Sequence, residues 1–82
     1  MRIRVISPTR AVFDGGAESV VAPAHDGEVG ILRGHAPMVT LLGEGVVTVR
    51  GGGETHEFQV SRGFLQVLND DVTVLAEQAA PL

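Results

Sequence analysis

Apolar and polar positions alternate from Arg2 to Ile6, with Ile3 and Val5 on one face. They alternate again from Glu54 to Val60, where His56, Phe58 and Val60 oppose Thr55, Glu57 and Gln59. A period of two is the mark of a half-buried strand. Ser19 to Ala22, Val46 to Val49 and Val72 to Leu75 are β-branched runs bounded by Gly, Pro, Asn or Asp, which favours strands by propensity and by length. Turn signals at Asp14-Gly15-Gly16, Asp26-Gly27, Gly43-Glu44-Gly45, Gly51-Gly52-Gly53 and Asn69-Asp70-Asp71 recur along the whole chain and separate short strands, as in an antiparallel sandwich or barrel. Phe64 to Ala80 contains neither Gly nor Pro, and Leu65, Leu68, Val72, Leu75, Ala76 and Ala79 also fit a helical stripe. Asn69-Asp70-Asp71 in its middle, followed by β-branched Val72-Thr73-Val74, favours two strands joined by a turn. No internal repeat, linker or low-complexity tract interrupts the pattern.

Composition narrows what such a fold can do. At 82 residues the chain forms one domain, residues 1–82, because a fold of this size buries only about 60–65% of the surface exposed by its unfolded chain. Without cysteine there is neither a disulfide framework nor a thiolate metal site. Lysine is absent too, since all six basic residues are arginines, which removes Schiff-base chemistry, the P-loop lysine and the attachment lysine of a carrier domain. The net charge of −4 opposes general attraction to phosphate backbones or anionic lipid, and the three Phe make no obvious base-stacking platform, so nucleic acid is not expected as a partner. No apolar stretch approaches the length of a membrane span, and the alternation after Met1 does not read as a signal peptide; the default compartment is cytosolic.

No arrangement of reactive groups suggests catalysis. His25, His35 and His56 show no paired spacing for a metal, so neither a metal nor another cofactor is expected. A triad drawn from Ser61, His35 and Asp26 lacks a nucleophile elbow around Ser61, which reads as a turn residue. Gly51-Gly52-Gly53 joins two strands rather than opening a helix, and so reads as a hairpin tip without anion affinity.

The most informative segment runs from Gly27 to Leu42, GEVGILRGHAPMVTLL, a short strand, a sharp turn and a second apolar strand. It resembles the signature of the epsilon subunit of F-type ATP synthases, Gly-Glu-Leu-Gly-Ile-x-Pro-Gly-His-Ala-Pro-Leu. Val60-Ser61-Arg62-Gly63-Phe64-Leu65-Gln66-Val67 and Val72-Thr73-Val74-Leu75-Ala76 resemble that family's later pattern, Ser-Gly-Gly, x-Leu-x-Val and Val-Thr-Val-Leu-Ala, in the same order. Arg33 stands where the pattern usually has proline, which loosens the turn before Gly34 and offers a new cation. Arg62 stands at the first glycine of Ser-Gly-Gly, which questions a positive φ there and leaves Gly63 to supply it.

The resemblance implies an all-β fold, a β-sandwich of two five-stranded antiparallel sheets, corresponding to the N-terminal domain of an epsilon subunit. The helical hairpin that follows in ordinary members is expected to be missing after Ala79-Ala80-Pro81-Leu82, and ATP binding with it. It implies a non-catalytic rotor subunit, peripheral on the cytoplasmic side of the bacterial inner membrane, that links the gamma subunit to the c-subunit ring and couples proton or sodium translocation to ATP synthesis. By the same resemblance Glu28, Gly30 and Ile31 are candidate contacts to the c ring, and His35, Ala36, Pro37 and Met38 to gamma. Taken alone, an isolated loop carboxylate such as Glu28 is more often simply solvated. The alternative from another class is a freestanding small β-sandwich or barrel that binds a peptide or small ligand.

Overall fold

The computed structural model describes residues 1–82, and every regular element in it is a strand. In chain order they are β1 (Arg2–Ser7), β2 (Arg10–Gly16), β3 (Ser19–Ala24), β4 (Gly27–Leu32), β5 (Met38–Leu42), β6 (Gly45–Gly51), β7 (Glu54–Leu68) and β8 (Asp71–Pro81). The ambiguous stretch after Phe64 is indeed the end of one strand, a turn and a second strand. Asn69 and Asp70 form that turn at φ 51° and 59°, and Gly52 and Gly53 form the β6–β7 turn at 60° and 78°. Two successive left-handed residues match the twist of the strands they join. Asn, Asp and Gly are the residues that reach this region most cheaply.

β7 is the strand that shapes the molecule. Fifteen residues at about 3.3 Å each would reach about 46 Å if straight, yet the longest dimension of the domain is 26 Å. The strand must bend, and it does so at Arg62-Gly63, with φ 56° and 156°. The β7–β8 ladder passes from Ser61↔Gln78 to Gly63↔Ala76, leaving Arg62 and Glu77 without a register partner. A Cβ on Gly63 would collide with the Leu75 carbonyl oxygen, so the two backbones approach here as only glycine allows. Before the bend β7 pairs with β6, from Gly51↔Glu54 to Gly45↔Val60; after it, with β5, from Leu42↔Gly63 to Met38↔Val67.

This continuity overturns the expected pair of five-stranded antiparallel sheets. The domain is all-β, but it is one mixed eight-stranded sheet, ordered β2-β1-β8-β7-β5-β3-β4 with β6 bridging β3 and β7. The bend turns β7 without shifting its register against β8, so nothing divides the sheet in two. β1 pairs with β8 in parallel, Arg2↔Asp71 through Ile6↔Leu75, which removes the purely antiparallel character as well. The sheet curls rather than lying flat, since β7, β5, β3 and β6 close a ring of pairings.

One strand has no counterpart in the sequence reading. Asp14-Gly15-Gly16 is not a turn but the end of β2, paired with Arg4, Ile3 and Arg2. The reversal falls at Ala17-Glu18, where the Glu18 carboxylate accepts the Gly52 N–H at 3.0 Å and so caps the β6–β7 turn. The curled sheet encloses Ile3, Val5, Val20, Val47, Val49, Phe58, Val60, Leu65, Val67, Val72 and Val74, among others. No polar or charged residue is buried. Whatever chemistry the domain performs must lie on its surface.

Candidate functional site

The segment from Gly27 to Leu42 resolves into three parts with different jobs. β4 is an edge strand, paired only with β3 from Ala24↔Gly27 to Ser19↔Leu32. Its alternation sends Glu28, Gly30 and Leu32 outward, all exposed, while Ile31 is only 1% exposed and belongs to the core. Ile31 can therefore support a contact surface but cannot present its side chain to one. Glu28, opposite Pro23, makes no ion pair within 4.0 Å, and the space around Gly30 is open.

At the far end of β4 the chain turns through Arg33 to Pro37. Strand geometry puts roughly 13 Å between residues 28 and 32, so Glu28 and His35 do not share one loop tip. The turn is closed by the His35 N–H donating to the Leu32 carbonyl at 3.1 Å. It is also held from outside: the Gly34 N–H donates to Asp70 Oδ1 at 2.7 Å across thirty-six residues of sequence. Gly34 itself sits at φ 84°. His35 Nδ1 lies 2.7 Å from the Ala36 carbonyl oxygen, which can only accept, so Nδ1 donates in this contact. Met38 is half-buried against the core and pairs with Val67.

A second surface lies on the outer face of the sheet. Leu41, Phe64, Leu75 and Ile6 are register partners across β5, β7, β8 and β1, so their side chains stand in one row. The first three are about half exposed, at 52%, 51% and 47%. Beside the row runs a set of mutually neutralised charges. Arg2 donates to both carboxylate oxygens of Asp14 at 3.0 and 2.9 Å, and Arg4 donates to Asp71 at 3.3 Å and Thr73 at 3.2 Å. The hydrogen bonds from Arg2 hold the Asp14 carboxyl below its usual pKa.

The remaining polar groups do not converge. Ser61 donates to Gln78 at 3.2 Å, and His25 Nδ1 lies 3.4 Å from Thr40 Oγ1. His56 is next to Glu54 at 3.4 Å and tilts against Phe13 with centroids 5.0 Å apart. No three acidic, His or Cys residues group as metal ligands. The largest concavity, of about 530 Å³, is an open groove between Ser7–Arg10 and the Gln59–Ser61 and Glu77–Ala80 segments. It holds neither an activated nucleophile nor a matched acid and base.

The comparison with known proteins accords with surfaces rather than a pocket. All of residues 1–82 match the family described as ATP synthase, Delta/Epsilon chain, beta-sandwich domain. The chain belongs to this family. It is 44% identical over 79 residues to the ATP synthase epsilon chain of Synechococcus sp. (strain JA-2-3B'a(2-13)), covering 96% of this chain and 58% of that one. It is 47% identical over 76 residues to the epsilon chain of Chromohalobacter salexigens, covering 92% and 54%. The chain thus spans somewhat over half the length of these relatives. Among solved structures, a chain of the Euglena gracilis mitochondrial ATP synthase (OSCP/F1/c-ring) superposes with a TM-score of 0.88 at 23% identity, over 96% of this chain and 51% of that one. One of the Tetrahymena thermophila mitochondrial central stalk and c-ring gives 0.77 at 14%, over 96% and 64%. At these identities the superpositions establish the fold.

Two parts of this surface were not legible in the sequence. Asp70 looked like a turn residue only; its bond to Gly34 depends on the folded register of β7 and β8, which no local pattern specifies. The apolar row did leave a trace. Leu41-Leu42, Phe64-Leu65 and Val74-Leu75-Ala76 break the period of two with adjacent apolar residues, and a strand apolar on both faces expects cover on both.

Proposed function

We propose that this domain is a non-catalytic rotor adaptor of an F-type ATP synthase, fixing the gamma subunit to the c-subunit ring on the cytoplasmic side of a bacterial inner membrane. The observation that carries the reading is the outward apolar row Leu41, Phe64, Leu75 and Ile6, on a chain whose whole length matches the family. A half-exposed apolar row on a small domain favours a protein partner, and gamma is the partner this reading assigns to it. His35, Ala36, Pro37 and Met38 would extend that contact along the turn held by Asp70. Glu28 and Gly30 on the free edge of β4, backed by Ile31, would meet the polar loops of the ring. The work is mechanical: ring rotation reaches the nucleotide sites as torque through a rigid sheet.

Titration with purified gamma, followed by thermal melting, tests the first contact; the expected result is an upward shift in Tm that grows with gamma concentration. No shift at concentrations well above assembly levels removes the rotor reading. Cysteine cross-linking in the assembled complex tests the second. Position 28 should link to the c ring and position 35 to gamma; efficient linkage of 28 to gamma alone overturns the assignment. Glu28→Gln should leave folding unchanged and weaken ion pumping in reconstituted membranes modestly, since an exposed ion pair contributes about 0–1 kcal/mol.

A further inference from the structure

We infer that Arg62 is a docking residue at the border of the apolar row, placed to pair with a carboxylate on the subunit that covers this face. The inference rests on the rotor reading, with gamma as the occupant, and adds the chemistry that gamma must present. Arg62 has φ 56°, a left-handed conformation that is uncommon and costly for a side chain of this kind. Glycine would hold the same backbone with less strain. Local contacts offset little of that cost: the side chain is 83% exposed, and its one ion pair, with Glu77, is long at 4.0 Å and itself exposed. Strain retained at an exposed position points to a contact the isolated chain does not make.

Its surroundings say what that contact is. Arg62 lines a shallow cleft with Pro8, Phe64, Leu75, Ala76 and Glu77, continuous with the apolar row. The other arginines of this face are committed: Arg2 to Asp14 at 2.9 Å and Arg4 to Asp71 at 3.3 Å. Arg62 makes no side-chain hydrogen bond and only the long, exposed pair with Glu77, so its guanidinium donors remain available at the rim of the apolar surface. A planar fork of five N–H groups suits a carboxylate, and at the edge of an apolar patch such a pair sets orientation and association rate more than raw affinity. The matching element on gamma is an apolar segment bordered by an Asp or Glu.

Binding of purified gamma to the 82-residue chain and to Arg62 variants, at low and high salt, tests this. Arg62→Gly should raise the Tm of the free chain by about 2–4 °C through relief of strain. It should also weaken gamma binding about three- to tenfold at low salt and flatten the salt dependence. Arg62→Lys should keep most of the salt dependence and Arg62→Glu should bind more weakly than either. Gamma binding that is unchanged or tighter in Arg62→Gly and Arg62→Glu overturns the inference while leaving the rotor reading intact. Failure of the unmodified chain to bind gamma removes both. Arg62-dependent self-association in sedimentation, without an effect on gamma, also overturns it, in favour of a second copy as occupant.

Discussion

The β7–β8 pair and the β4 edge with its following turn use backbone in opposite ways. β7 and β8 bury Phe58, Val60, Leu65, Val67, Val72, Val74 and Ala76, and hold the two parts of the sheet together through the bend at Gly63. β4 is paired on one side only, contributes Ile31 and part of Val29 to the core, and ends in a five-residue turn tied from outside by one side chain, Asp70. Stability is therefore concentrated in the first region, and adaptable contact surface in the second. The proposed rotor role would use both, because a contact transmits torque only if the body behind it does not yield.

The sharpest way to break this contrast is Gly63→Ala. A single methyl group would overlap the Leu75 carbonyl oxygen, backbone that cannot move without opening the ladder. We expect a loss of at least about 3 kcal/mol, against a total stability on the order of 4–12 kcal/mol for a chain of this size. Urea denaturation followed by circular dichroism would measure it. A loss under about 1 kcal/mol would mean the bend is softer than the close approach implies.

The turn side predicts a smaller and local effect. Asp70→Ala removes the acceptor of the Gly34 N–H and places alanine at φ 59°, for an expected cost of about 1–3 kcal/mol. Asp70→Asn keeps an acceptor and tolerates the left-handed backbone, and should stay within about 0.5 kcal/mol. Hydrogen exchange should show the Gly34 amide losing protection in the alanine variant and keeping it in the asparagine variant, with the β7–β8 amides little changed in either. Equal loss throughout the sheet would erase the distinction between the two regions.

Much of this contrast was legible in the sequence, and the illegible part has a common cause. Alternation at Arg2–Ile6 and Glu54–Val60 marked the core faces correctly, because burial on one side of a strand imposes a period of two whatever the topology. The tips at Gly52-Gly53 and Asn69-Asp70 could be read because left-handed backbone selects few residue types. Asp14-Gly15-Gly16 misled for the same reason: glycine is permissive, and here β2 uses it beside β1 rather than to reverse. The bend at Arg62 combines a residue poor at left-handed φ with a neighbour forced to be glycine by a strand elsewhere in the sequence. That constraint is non-local. The same is true of the apolar row, assembled from four strands, and of the Gly34–Asp70 bond.

The smallest expected effect lies on the charged flank of the outer face. The Arg2 hydrogen bonds depress the folded-state pKa of Asp14, so the pair stabilises above the carboxylate's unfolded value, near pH 4, and the contribution is lost as pH falls through the lower folded value. Asp14→Asn should therefore lower Tm slightly at pH 7, with the difference from the unmodified chain closing as pH falls below about 4. Both groups are exposed, so 0.5 M salt should shrink the difference further. A large effect at neutral pH would mean the pair does more than decorate the flank.

The parallel ladder between β1 and β8 has a kinetic consequence. β1 lies between β2 and β8, with Arg2 opposite Asp71 and Ile6 opposite Leu75, so the first of the eight strands is completed by the eighth. Hairpins β3–β4, β6–β7 and β7–β8 can form as their own residues leave the ribosome. The β1–β2 ribbon cannot seat Ile3 and Val5 until β8 is available, and closing so long a loop is slow. During synthesis the exposed edge of β1 and the apolar side of β7 wait for the same strand. Occupation of that edge by β8 is thus the step that commits the nascent chain to its fold.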